Sequence, residues 1–277
     1  MGKSYFRDME LASDTYYYYC GAGLGDTMVT AAIKTDLEEK FKAKVIFLVK
    51  DTHAFIPPMY GIEEFYIINS KEDMKYIESQ AVRFPTPGKI FAAHPVFHKE
   101  LAKMFQPVRD QVSTEKFLPW YMGFFGMDKS TEMKYPIRYP EMTDKLREKI
   151  EKIAPLEKIV MISPEATSMV RININFWKEK IKKIKNRGDF VISNVIDKTN
   201  TLPGTAYVNL SSLEAVQLGL YCKEVYSVRS GLCDILFSRG KNLYVYYPTH
   251  RAYFLYCLND MFRCTKINEE IVISEQW

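Results

Sequence analysis

The chain has 277 residues, a net charge of +4, 47% hydrophobic and 26% charged residues, which is the balance of a globular protein and excludes a disordered one. That length predicts two domains. A charge of +4 is too small for a dedicated nucleic-acid binder and suits an anionic small ligand or the edge of an anionic membrane.

Met1 to Asp14 contains no apolar signal core, and Phe6 stands where a myristoylation signal needs Ser or Thr. No run approaches the ~20 apolar residues that span a bilayer, so any membrane contact is expected to be peripheral. Residues 15–20 form an aromatic run that favours a strand and stops at Gly21. Residues 26–41 read as one helix, with Met28, Val29, Ala32, Ile33 and Leu37 on one side. The apolar run 45–49 predicts a strand covered on both faces. Residues 65–68 and 89–92 read as further strands, with helices near 72–80 and 97–105. Residues 114–127 read as a helix ended by Gly126. Pro136 and Pro140 cannot both sit inside a helix, so this segment is the predicted linker. It divides the chain into 1–138 and 139–277.

The alternation then restarts. Helices are expected at 144–153, 176–187, 213–221, 231–238 and 251–262, and strands at 158–162, 190–193, 224–227 and 242–246. Strand–helix alternation in both halves predicts α/β folding on parallel sheets. The five cysteines, Cys20, Cys222, Cys233, Cys257 and Cys264, have no C-x-x-C spacing. Neither a zinc nor a disulfide framework is expected, and the thiols are read as reduced in a cytoplasmic protein.

Three turns carry candidate chemistry. Gly21-Ala22-Gly23-Leu24-Gly25-Asp26-Thr27 lies between a strand and a helix. Its glycines permit a tight turn, and a helix start offers free N–H groups to an anion. Asp26 occupies the third glycine position of a dinucleotide fingerprint, where a carboxylate would repel pyrophosphate. Asp26 is either a helix cap or a catalytic group. Ile162-Ser163-Pro164-Glu165-Ala166-Thr167-Ser168 leaves an apolar strand for a hydroxyl-rich turn, a place where ligands bind in parallel sheets and where ordinary surface loops also occur. Ser227-Val228-Arg229-Ser230-Gly231-Leu232-Cys233-Asp234 joins a strand end, an arginine suited to phosphate and a glycine turn into a helix. The alternative makes Ser230 a cap and Arg229 an ion-pairing residue.

Other features have plainer readings. The Lys-rich run 178–187 is a solvated helix face or a contact for an anionic membrane. The aromatic run 117–125 is read as core packing or, in part, as the lining of an acceptor cleft. His94 and His250 have no metal-ligand partner at fixed spacing.

These residues resemble the heptosyltransferase-like glycosyltransferases (glycosyltransferase family 9) of bacterial surface-polysaccharide synthesis. Gly23-Leu24-Gly25-Asp26-Thr27-Met28-Val29-Thr30-Ala31-Ala32 looks like that family's first turn and helix, and residues 44–50 fit its next strand. Ser163-Pro164-Glu165-Ala166 and Phe176-Trp177 are similar to the start of its second half, with Glu165 in place of a glycine. Leu210-Ser211-Ser212-Leu213-Glu214-Ala215 looks like the helix before its donor turn. There Arg229-Ser230-Gly231 replaces an acid by a base. The resemblance implies two Rossmann-like domains facing a cleft (GT-B type) and metal-independent transfer without a cofactor. It also implies a nucleotide-sugar donor held by the second half and a glycan or lipid-linked glycan acceptor held by the first. By resemblance Asp26 is the general base. Arg229, Ser230 and Gly231 hold the donor diphosphate, Ser163 and Thr167 touch its phosphates, and Glu214 reaches the ribose. Two other readings compete. One is a nucleotide-cofactor oxidoreductase using Gly21-Ala22-Gly23 and Asp51, and the other a non-catalytic glycan- or nucleotide-binding subunit.

Overall fold

The structure, a computed structural model, describes residues 6, 9–82, 84–94, 116–262 and 266–273. The predicted helix 97–105, the first residues of the predicted helix 114–127, and Cys264 lie outside them. The chain divides into two compact units, Met1–Tyr139 and Pro140–Trp277, each built on its own parallel sheet. The break falls in the proline segment, whose Ile137 N–H and Arg138 Nε–H are held by the carbonyls of Met59 and Pro58.

In the first unit the strands are β1 (Tyr16–Cys20), β2 (Val45–Lys50), β3 (Phe65–Ile68) and β4 (Ile90–Ala92), in the order β3-β2-β1-β4. All pairs are parallel. Alternation along β1 sends Tyr17 and Tyr19 to one face, with Ile46, Leu48, Ile77 and Ala92. Tyr18 goes to the other face, against Phe47, Phe91 and Phe125. The apolar β2 is buried throughout its first five residues. The aromatic run ends in the helix Phe117–Phe124, where Tyr121 and Met122 are core.

The single helix read over 26–41 is two, Leu24–Ala32 and Lys34–Phe41. They are broken at buried Ile33, whose φ of −109° and ψ of 9° leave the helical region. No glycine or proline marks that break.

In the second unit the strands are β5 (Ile159–Ser163), β6 (Phe190–Ser193), β7 (Ala206–Tyr207), β8 (Glu224–Val228), β9 (Leu243–Tyr247) and β10 (Asn268–Ile271). Their order is β10-β9-β8-β5-β6-β7, again parallel throughout. The helix Ile174–Asn186 packs Trp177, Ile181 and Ile184 onto this sheet, among Val160, Val191 and Tyr246. Its lysines Lys178, Lys182 and Lys185 are exposed.

The last predicted helix is also two, His250–Tyr256 and Leu258–Met261. The Glu269 carboxylate, on β10, accepts the N–H groups of Leu258 at 2.7 Å and Asn259 at 3.2 Å and the hydroxyl of Tyr247. It therefore caps the second piece from outside. No helix among the described residues is long and apolar enough to cross a membrane.

Candidate active site

The first sheet changes direction beside β1. The chain runs β1, β2, β3 to one side, and β4 pairs on the other. Ligands of open α/β sheets bind at the carboxyl ends of strands at such a switch point. Here those ends are Cys20-Gly21, leading into the helix Leu24–Ala32, and Ala93-His94. Ala93 N–H extends the ladder to Tyr19 O at 2.9 Å, and the Tyr121 hydroxyl donates to Ala93 O at 2.6 Å. These bonds bring His94 to Asp26, with Nε2 to Oδ1 at 3.6 Å and each side chain about a fifth exposed (23% and 21%). The other Asp26 oxygen accepts the Gly23 N–H at 2.9 Å.

Gly23 is the N-cap, with no side chain to return the bond, and Gly25 lies inside the helix. Gly21 is the residue the turn cannot spare, because a Cβ there would lie 2.0 Å from the Tyr19 ring. Asp26 thus serves both as cap and as one half of a carboxylate–imidazole pair at the mouth of the switch point. That pair is suited to taking a proton.

The helix that carries Asp26 is fixed from behind. The Thr27 hydroxyl lies 2.9 Å from His53 Nδ1. His53 is buried, and burial, with Lys50 nearby, lowers its pKa from 6.5 to about 4. The unfolded chain therefore takes up this proton first as pH falls. The stability held by neutral His53 is complete above about pH 6.5 and is lost progressively towards pH 4. A shift of that size corresponds to about 3 kcal/mol. The urea midpoint is expected to fall across this window and to lose most of that slope in His53→Gln. An unchanged slope in the variant would assign the titration to another group.

The second sheet switches between β5 and β8. At those strand ends lies a pocket of about 490 Å³ whose polar wall includes Ser163, Thr167, Arg171, Asn194 and Ser230. Ser163 ends β5, and its hydroxyl accepts from Asn194 Nδ2 at 2.7 Å. Arg171 is 72% exposed at the rim and pairs with Glu165 at 2.8 Å. Glu165 also accepts from Asn200 at 3.5 Å.

Arg229, the expected phosphate ligand, is not offered to this pocket. It is 4% exposed. Its guanidinium donates to both carboxylate oxygens of Asp234, at 2.7 and 3.1 Å. It also donates to Tyr256 O at 2.9 Å and Ser230 O at 2.7 Å, and touches Met261 Sδ at 3.5 Å. The five N–H groups are spent on the protein, so the role of Arg229 is to set the shape of the Ser230 turn. Ser230 lines the pocket and Gly231 opens the helix Gly231–Leu236 behind it.

No protein-family model matches the sequence, and no curated protein matches it. Similarity is found in three dimensions. A glycosyl transferase family 9 structure from Veillonella parvula superposes with a TM-score of 0.57 at 13% identity, over 97% of this chain and 90% of that one. The ADP-heptose lps heptosyltransferase II of E. coli gives 0.56 at 12%, over 95% and 90%. The E. coli heptosyltransferase WaaC gives 0.50 at 12%, over 92% and 93%.

The fold is that of the family 9 glycosyltransferases.

Within this glycosyltransferase fold several residues have local roles. Glu214 closes a capping box, accepting Ser211 N–H at 2.8 Å while its own N–H reaches Ser211 Oγ at 3.2 Å. One of its two carboxylate oxygens is held in that cap. Thr167 is exposed on the pocket rim. Asp51 is exposed at the start of the turn after β2. Beside it the dinucleotide reading loses its anchor, because the Gly23 N–H that would meet a pyrophosphate is taken by Asp26. The pairing of His94 with Asp26, and the presence of Arg171 and Asn194 in the pocket, carried no pattern in the sequence. Each depends on loops that meet only across the sheet. The described cysteines, Cys20, Cys222, Cys233 and Cys257, are free and buried.

Proposed function

We propose that the protein is a glycosyltransferase moving a sugar from a nucleoside-diphosphate-sugar to a hydroxyl of a glycan or lipid-linked glycan, in bacterial surface-polysaccharide synthesis. The observation that carries this reading is the occurrence, in a family 9 glycosyltransferase fold, of polar sites at both switch points. One is the Asp26–His94 pair and the other the pocket bearing Arg171 and Ser230. The first unit takes the acceptor and the second the donor.

In this scheme Asp26 accepts the proton of the acceptor hydroxyl. The freed oxygen bonds to the anomeric carbon, and the bond from that carbon to the diphosphate breaks. The nucleoside diphosphate leaves with the electron pair. Arg171 exchanges its Glu165 partner for the diphosphate. Ser163, Thr167, Asn194, Ser230 and the turn at Gly231 supply further contacts, while Arg229 keeps that turn in place. Transfer without a metal or cofactor, and work in the cytoplasm at the inner membrane face, belong to the same reading. The exposed lysines of the helix Ile174–Asn186 suit an anionic surface.

One fold relative was solved with ADP, so ADP, UDP and GDP are the first probes. Isothermal titration is expected to find one nucleoside diphosphate that binds and whose affinity drops about tenfold to a hundredfold in Arg171→Ala, the worth of a charge-assisted hydrogen bond. Unchanged affinity in that variant would remove Arg171 from the site. Tighter binding of NAD than of any nucleoside diphosphate would transfer the reading to an oxidoreductase.

A further inference from the structure

The charged lining of the pocket at the ends of β5 and β8 is one cation and one carboxylate, Arg171 and Glu165. Both sit on the loop that leaves β5 after Ser163. Met169 N–H closes the middle of that loop onto Ala166 O at 3.2 Å, and Ala166 and Met169 pack on the core of the sheet. Glu165 and Arg171 flank this anchored stretch. The carboxylate uses both oxygens. Oε1 accepts from Arg171 Nη2 at 2.8 Å, and Oε2 accepts from Asn200 Nδ2 at 3.5 Å. Asn200 ends the short turn Lys198–Asn200 after β6, so Glu165 is held from a second strand connection as well. The Glu165 side chain is 24% exposed and that of Arg171 72%. The arginine is therefore the partner able to swing towards a ligand, and the carboxylate is the one that stays.

Two consequences follow for an anion entering this pocket. A diphosphate must take Arg171 from Glu165, and it then lies in the same pocket as the carboxylate it displaced. Both effects weaken its binding, and the second grows with the charge of the ligand. The diphosphate of a nucleotide-sugar is esterified at both ends. The nucleoside diphosphate that leaves after transfer has a free terminal phosphate and so carries more negative charge.

We propose that Glu165 is a specificity-determining residue of this pocket, a resident carboxylate that competes for Arg171 and disfavours the departing nucleoside diphosphate more than the donor ester. The inference rests on the reading of this pocket as the donor site. Its effect on the reaction is to limit occupation of the pocket by product and to favour exchange of product for fresh donor.

The test is isothermal titration of the full chain with ADP, UDP and GDP, and with the terminal methyl ester of each, which carries the charge of the donor without its sugar. Glu165→Gln keeps the size of the side chain and removes its charge. It is expected to tighten binding of the nucleoside diphosphate by about threefold to tenfold, the worth of a partly exposed charge contact, and binding of the methyl ester by less. The gain is expected to shrink in high salt. It is also expected to shrink in an Arg171→Ala background, where no guanidinium is left to compete for. No gain in Glu165→Gln, an equal gain for diphosphate and ester, or an equal gain with and without Arg171 would each overturn the inference and leave the donor pocket in place. If none of the three nucleoside diphosphates binds either the parent or Glu165→Gln, the donor-site reading itself falls, and this inference with it.

Discussion

Arg229→Ala is expected to cost about 3–5 kcal/mol of stability, the penalty for stranding one partner of a buried ion pair. Asp234 is as buried as Arg229, with side chains 6% and 5% exposed, so its carboxylate would lose the guanidinium charge without gaining access to water. The loss extends further. Arg229 holds Tyr256 O, at the end of the helix His250–Tyr256, and Ser230 O, at the pocket wall. Against the 5–15 kcal/mol that typically separates folded from unfolded domains, this is a large fraction. The double replacement of Arg229→Met with Asp234→Leu leaves no charge behind and is expected to recover most of it. Urea denaturation followed by circular dichroism measures both. A single alanine variant within about 1 kcal/mol of the parent would mean that the pair is not the strut described.

Asp26→Asn is expected to lower turnover by about 10² to 10⁴, the usual worth of a positioned general base. The amide keeps the size of the carboxylate, and its oxygen can still accept the Gly23 N–H. Folding and nucleoside-diphosphate affinity should therefore change little, which separates chemistry from capping. Asp26→Ala loses the cap as well and is expected to cost about 1 kcal/mol. The measurement is steady-state turnover of both variants with a competent donor–acceptor pair. Near-parental rates for Asp26→Asn would take Asp26 out of the mechanism and favour a binding subunit.

The parts of the fold legible in the sequence are those whose signal is local. The apolar run of β2, the tyrosines of β1 and the glycine turn before Asp26 each state their environment within a few residues, by burial on two faces, by alternation, and by a backbone pressed against the Tyr19 ring. The edge strand β10 was not legible. Asn-Glu-Glu-Ile has no apolar alternation, and Glu269 faces inward only because it caps a helix.

The site was half legible for the same reason. Asp26 stands in a local motif, and its partner His94 arrives from β4. Arg229 has the local marks of a phosphate ligand, a cation beside a glycine turn. What overrides them is Asp234, one helical turn further on, whose carboxylate folds back onto it. Arg171 lies in a loop without pattern and becomes visible only when that loop closes over β5 and β6.

The cap that Glu269 places on Leu258 and Asn259 has a consequence for assembly order. The start of the helix Leu258–Met261 owes the bond at Asn259 and one of the two at Leu258 to a residue that emerges later in synthesis and sits on a strand that can dock only onto a finished β9. Until residue 269 has left the ribosome and paired, those N–H groups and the Tyr247 hydroxyl have no native partner in that carboxylate. The corner around Cys257 should therefore be among the last parts of the second unit to gain protection from hydrogen exchange.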